Sequence, residues 1–526
     1  MAQLKADIVI VGGGTAGWLA AMILQAESKR AGRPLSITLI ESSKIPTIGV
    51  GEGTTSLFRG VLQRLGLDEQ EFIAKTEATI KYGIRHRDWR RKGHLYDGPI
   101  DDVYHLADKV EGRGSWIDTF CVAAGRSVAE PHLFGALMKQ NRAPVASTPD
   151  GLRSLSQFHH AYHFDQAKVG AWLRSKADGI THIDAAVEGA RLNSDNGRIV
   201  SLVLDTGERV SGSFFIDATG FRRSLICNEM GSKWKSYSDV LPVNRAMPFW
   251  IDLAEGEEIP TYTHAWAQSS GWMWQIPTQH RIGCGYVYSD AHLTPEQAQA
   301  EIEKTLGHAI EPRNDIKIDS GRVEQPLNKN VLAIGLAASF LEPLEATSIH
   351  GTLVSILLFV GRHLKNFEQI SEEQEASFNR AIYGQTDDFR DFINLHYVSE
   401  RRDSTFWCDV AENYIQPQTK ARLELWQHKM PGPEDFTNEL DGLPHLEELL
   451  HLPVLDGLGL LNQSLARKVM NQDKHFQRFA RETADFLTRQ SNQMASKAVG
   501  HRAWLDDIRS SNLSSAGVLP SVSTSV

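Results

Sequence analysis

Cysteine is scarce in this chain. The four present, Cys121, Cys227, Cys284 and Cys408, lie far apart among 526 residues. That spacing excludes a disulfide framework and any CxxC metal knuckle, no metal-ligand set emerges, and a reducing cytoplasm is the expected compartment. Positive charge is also in short supply. Lys and Arg number 55 against 65 Asp and Glu, a net charge of −10, so a nucleic-acid binder built on a basic surface is excluded. Long hydrophobic runs are missing too. IVIVGGGTAGWLAAMIL is interrupted by glycines, which argues against a leader helix. GTLVSILLFVG (Gly351 to Gly361) is too short to span a bilayer. No internal repeat is visible. Hydrophobic residues at 41% and charged residues at 23% are those of a globular protein long enough for two or more domains.

What is present begins with DIVIV (Asp7 to Val11), an apolar run of strand length. A glycine turn and the helical spacing of WLAAMILQAESK follow, then SITLIE (Ser36 to Glu41). This is a βαβ unit with a buried parallel sheet. TIKYGIR (Thr79 to Arg85) alternates Ile80, Tyr82 and Ile84 with Lys81, Gly83 and Arg85, which predicts one half-buried strand. Short alternating segments with DNGR and DTGE turns predict a β-meander from about 183 to 216. NVLAIG (Asn330 to Gly335) predicts another strand, and the second half of SFLEPLEATSIHGTLVSILLFVGRHL predicts a helix. The expected organisation is an α/β nucleotide-binding body with an interleaved β-rich part over residues 1–370. A mainly helical region follows over 371–508, covering the substrate site, and a serine-rich disordered tail over 509–526.

Gly12-Gly13-Gly14-Thr15-Ala16-Gly17 satisfies GxGxxG between the strand and the helix, and Glu41 closes the next strand. Glycine permits the tight turn, the second glycine lets backbone approach a pyrophosphate, and the third lets helix and strand pack closely. The helix N-terminus takes the phosphates and Glu41 a ribose hydroxyl. A second strand-to-glycine turn, FIDATG (Phe215 to Gly220), resembles FAD-dependent oxidoreductases with the glutathione-reductase-like fold. That likeness implies FAD rather than NAD, with Asp217 and Gly220 shaping the cofactor domain. The glycine-rich IGVGEGT (Ile48 to Thr54) carries one acid, Glu52, a candidate for the flavin's side.

GWMWQIP (Gly271 to Pro277) places two tryptophans at i and i+2, on one face of a strand. By itself this reads as a buried aromatic pair. Together with GGGTAGW, IGLAASF and PLEATS, it resembles the flavin-dependent halogenases of the tryptophan-halogenase family, whose WxWxIP pattern Trp272, Trp274, Ile276 and Pro277 match. The resemblance covers roughly Asp7 to Trp426. It implies that reduced FAD and oxygen form a flavin hydroperoxide, which a halide attacks to give hypohalous acid. This acid passes through a tunnel to a separate substrate site. Trp272 and Trp274 would screen the organic substrate from the flavin. Val187, Leu336 and Ile349 would line the cofactor.

The same resemblance assigns the family's essential lysine to Lys81, which would hydrogen-bond hypohalous acid or form a haloamine. The bland alternative is a solvated strand lysine. Glu345, in PLEATS, matches the essential glutamate, which would orient the halogenating species or accept the proton the arene loses. Its alternative role is a helix N-terminal acid favouring the macrodipole. Glu342 has a lower claim on the same role. Backbone N–H groups of Thr347 and Ser348 would bind halide. Ser348 stands where the family often has glycine, so a backbone less free to take positive φ is expected there. Bromide over chloride is the expected preference, because bromide is less hydrated and more easily oxidised.

Tryptophan-specific members carry YHxF. This chain has Tyr104-His105-Leu106-Ala107, keeping His105 as a candidate substrate-stacking residue and losing the phenylalanine. A roomier pocket follows, for an electron-rich arene of indole type without a specifically held amino-acid group. The implied partners are a separate flavin reductase and a small aromatic substrate, with a homodimer as the family habit and no nucleic acid or membrane. Two other readings stay open here: a single-component FAD-dependent aromatic monooxygenase, and a non-catalytic flavin-binding protein.

Overall fold

A computed structural model describes residues 4–45, 51–103, 115–155, 160–436 and 448–515. Strand Leu4–Val11 pairs in parallel with Ile37–Glu41 on one side and with Arg209–Asp217 on the other. Thr181–Asp184 extends the sheet beyond Ile37–Glu41, also in parallel. Val331–Ala333 adds a further parallel strand beside Arg209–Asp217. The strands are apolar because both faces are covered: Ile8, Ile10 and Leu39 belong to one core, and Val9, Val11 and Ile40 to another. The expected meander is present as Val187–Leu192, Ile199–Leu204 and Arg209–Asp217, paired antiparallel in sequence.

The β-rich part is a seven-stranded sheet. Gly271–Pro277 lies inside it, between Thr263–Ala267 and Arg281–Tyr288. A small three-stranded sheet joins the two large ones. Its centre is Ala161–Asp165, flanked by Gly51–Gly53 and Thr79–Lys81.

The structure corrects the reading of TIKYGIR. It is two strands rather than one, Thr79–Lys81 in the small sheet and Gly83–Arg87 in the large sheet. The chain changes sheets at Tyr82, whose N–H donates to Thr261 O at 2.8 Å. Ile80 through Ile84 are all buried, so the segment is not half-buried. Gly83 makes the crossing possible, because a Cβ there would stand 2.2 Å from Gly98 O.

The C-terminal part contributes Glu372–His396, Lys474–Lys497 and His501–Ser515 as its longer helices. The last of these carries helix into the 509–515 stretch, where the composition predicts a disordered tail. Residues 516–526 lie outside the described residues. No helix among the described residues is long and apolar enough to cross a membrane.

Candidate active site

A cavity of about 590 Å³ opens along the carboxyl ends of the parallel strands, a size within the range of ligand and cofactor sites. Gly12, Gly14, Thr15, Ala16, Glu41, Glu52, Val187, Leu336 and Ile349 line it, as do Gly220, Thr347, Ser348 and Trp274. Gly17 does not line it. A Cβ on Gly17 would stand 1.9 Å from Gly12 O, so this glycine serves the close packing of helix on turn. Gly12 has φ +112, and a Cβ there would meet Ala218 O at 2.2 Å. Gly14 caps Thr15–Arg30 with no side-chain hydrogen bond, and a Cβ there would meet nothing within 4 Å. The free N–H groups of the helix start therefore face open space, as a phosphate requires. Glu41 accepts a hydrogen bond from Arg174 at 3.4 Å, and His182 Nε2 lies 3.0 Å away without hydrogen-bond alignment. Asp217 stays out of the cavity. Its carboxylate accepts hydrogen bonds from Thr219, Leu225 and Ile226 N–H groups and braces the second glycine turn.

Glu52 is the odd group in this lining. Burial pushes its carboxyl up to about 7, and Oε2 has no hydrogen-bond partner among the described residues. An orphan acid and the open start of helix Thr15–Arg30 in one lining fit a ligand that carries both phosphates and a hydrogen-bonding ring. FAD answers to that description.

The start of helix Thr347–His363 also lines the cavity. Its N-cap, Ala346, is left-handed at φ 53. Ser348 is already helical, so the strain expected at this serine does not arise. The left-handed position sits two residues earlier.

Lys81 and Glu345 lie just beyond the cavity lining. Lys81 is 3% exposed, and burial lowers its ammonium to about 8 against an opposing pull from the Glu345 carboxylate. Gly53 leaves room for it: a Cβ there would stand 3.2 Å from Lys81 Nζ and 3.5 Å from Ala346 Cβ. The three elements Gly51–Gly53, Thr79–Lys81 and the turn before Thr347 thus converge on one lysine.

The sequence reading missed two histidines. Glu345 Oε1 lies 2.9 Å from His396 Nε2 and 3.9 Å from His86 Nε2. His396 comes from the end of helix Glu372–His396, and its Nδ1 donates to Phe392 O at 2.8 Å. His86 stacks on Tyr96 at 4.5 Å with an 8° interplanar angle. Burial, then the charges of His396 and His264, hold the His86 imidazole well below its ordinary range. The inward alternation of Gly83–Arg87 was the one available signal for His86.

The two tryptophans separate in role. Trp274 lines the cavity and packs over Gly285, where a Cβ would stand 2.0 Å from the indole ring. Trp272 is wholly buried, 6.1 Å from Trp89, and its Nε1 donates to Glu342 Oε2 at 3.0 Å. Tyr397 donates to the same oxygen at 2.6 Å. Glu342 is therefore the anchor of the aromatic wall and not a partner of Lys81. His105 and its neighbours lie outside the described residues.

Against this geometry the comparisons with known proteins are consistent. The tryptophan halogenase family model matches residues 7–482, further than the motif resemblance reached. The chain belongs to that family and is an enzyme of the flavin-dependent halogenase class. It is 34% identical over 478 residues to tryptophan 6-halogenase SttH of Streptomyces toxytricini, covering 86% of this chain and 89% of the relative. The tryptophan halogenase of Shewanella frigidimarina superposes with a TM-score of 0.87 at 29% identity, over 97% of this chain and 98% of that one. BrvH, a flavin-dependent halogenase from Brevundimonas sp. BAL3, superposes at 0.82 with 28% identity, over 95% and 99%.

Proposed function

We propose that this enzyme halogenates an electron-rich arene of indole type, with FADH2 delivered by a separate flavin reductase and bromide preferred over chloride. The observation that carries the reading is the split between two neighbouring places. The cavity lining includes Ala346, Thr347 and Ser348 but not the adjacent Glu345 or the buried Lys81.

FAD fits the cavity described above. Gly12 to Ala16 would hold its pyrophosphate, Glu41 its ribose, and Glu52, Val187, Leu336 and Ile349 the remainder. Reduced and bound, it supplies with oxygen the oxidising equivalent that turns halide into hypohalous acid. The chain's own residues do the rest. Backbone N–H groups of Thr347 and Ser348, at a helix start with a positive dipole end, hold the halide. Trp274, fixed over Gly285, keeps an arene out of the cofactor cavity, and Trp272 backs it from a hydrogen-bonded socket.

Lys81 acts as the ammonium, the form favoured at pH 7 by a group that loses its proton near 8. Its N–H donors bind hypohalous acid and draw electron density from the halogen. Glu345 accepts the proton the arene releases, with His396 Nε2 standing 2.9 Å from its carboxylate. The motif resemblance gives His105 the substrate-stacking role, in a YHxF pattern that here lacks its phenylalanine. A loosely held indole should therefore react at C3, its most electron-rich carbon.

The test is an incubation of the purified protein with FAD, a flavin reductase, NADH, bromide and a panel of indoles, read by mass spectrometry. Brominated product that requires the reductase is expected. Hydroxylated product, or NADH consumption by the protein without a reductase, would establish a single-component monooxygenase instead.

A further inference from the structure

Two imidazoles and one carboxylate converge on a single point in this enzyme. Among the described residues, His86, Glu345 and His396 are the one group whose ligand atoms all lie within 4.8 Å of one another. Both histidines are buried. They arrive from unrelated elements, strand Gly83–Arg87 and helix Glu372–His396, so the cluster is not a by-product of one helix face.

The donor chemistry is that of a metal site. His396 Nδ1 must carry a hydrogen, because its partner, Phe392 O, can only accept. Tying one ring nitrogen to a backbone carbonyl leaves Nε2 as the ligand atom, the same outer bond that orients metal-bound histidines generally. His396 Nε2 lies 2.9 Å from Glu345 Oε1, yet the contact lacks the alignment of a hydrogen bond, and Nε2 has no hydrogen-bond partner among the described residues. A proton shared between the two atoms would require the nitrogen to aim at the oxygen. A metal ion requires the opposite, since both atoms must aim at a third point at tetrahedral angles. His86 supplies a second unpartnered imidazole, with neither ring nitrogen hydrogen-bonded among the described residues. Bonds of about 2.0–2.2 Å from nitrogen and carboxylate oxygen to Zn²⁺ place neighbouring ligand atoms about 3.3–3.5 Å apart in a tetrahedron. The 2.9 Å and 3.9 Å separations bracket that spacing.

We propose that His86, His396 and Glu345 form an inhibitory site for a divalent ion of the late 3d series, Zn²⁺ foremost, with the fourth position open. Two neutral imidazoles and one carboxylate suit such an ion and not Ca²⁺ or Mg²⁺, which take oxygen ligands. A bound ion engages the Glu345 carboxylate and removes it from proton transfer. It also sets a double positive charge near Lys81. Occupancy therefore switches the enzyme off without touching the cofactor cavity. The ligand site stands independently of the halogenation reading, while its inhibitory effect rests on it.

Co²⁺ is the probe, because tetrahedral coordination gives it strong visible absorption. Chelator-treated full-length protein titrated with Co²⁺ should develop that absorption to one equivalent per chain, and Zn²⁺ should displace it. His86→Phe keeps the stack on Tyr96 and removes a ligand, and Glu345→Gln keeps the shape and removes the charge. Each should weaken Co²⁺ binding about tenfold or more, with FAD binding serving as the check on folding. Zn²⁺ should inhibit halogenation and a chelator should restore it. Absence of saturable Co²⁺ absorption in the wild-type protein, or equal absorption in both variants, overturns the site. Tight binding with full halogenation overturns the inhibitory role. Uptake of Co²⁺ by a protein that halogenates nothing under any condition would refute the proposed reaction and leave the site standing.

Discussion

Glu342 and Trp272 are joined by a 3.0 Å hydrogen bond inside a fully buried aromatic cluster. Burial, opposed by the hydrogen bonds from Tyr397 and Trp272, raises the Glu342 carboxyl to about 7. The folded chain thus keeps a proton that the unfolded chain releases near its ordinary 4.5. Between these values the native state binds more protons, so this group's contribution to stability is full below the lower value. It is lost as pH rises through the higher one. Glu342→Gln preserves an oxygen acceptor for both donors and cannot ionise. Urea unfolding should therefore show the variant gaining on the wild type between pH 5 and pH 8, by up to about 3 kcal/mol. A pH-independent difference would mean that Glu342 does not titrate in this range.

Lys81→Met should leave FAD binding intact and lower halogenation by about 10²–10⁴-fold, the usual worth of a positioned proton donor. Flavin affinity and product yield, measured on the same preparation, separate this from a folding defect. In the wild type the turnover rate should fall as pH rises through about 8, because burial brings the lysine's proton loss down to that value. A rate that climbs through the same window would favour the free amine as the working form.

Gly285→Ala should act on the cofactor rather than on the substrate. The added methyl would stand 2.0 Å from the Trp274 ring and drive the indole toward the cavity. Overpacking of this kind costs about 1–3 kcal/mol. Weaker FAD binding, seen by fluorescence titration, is expected. Unchanged FAD affinity with altered substrate selectivity would place the indole's movement on the other side.

Equal concentrations of bromide and chloride should give mainly brominated product. The reason is the ion's weaker hydration and easier oxidation, since the helical backbone at Ser348 carries no strain to influence the choice. Predominant chlorination in the competition would reverse the assignment.

The local features of this protein were written in short stretches of its chain. A glycine turn between an apolar strand and a helix, a two-residue aromatic repeat and a meander with glycine turns depend on near neighbours and on backbone freedom. Sequence reading reaches these because their period and their steric demands are local. It reached Lys81 and Glu345 only through motif resemblance, since an alternating pattern assigned the lysine to a half-buried strand. The tertiary structure decided that this strand breaks at Tyr82 and that Lys81 is buried beside Gly53. It decided too that Glu342 serves Trp272 while Glu345 meets His86 and His396. Those outcomes depend on which distant segments pack together, and helical or strand periodicity carries no record of a partner hundreds of residues away.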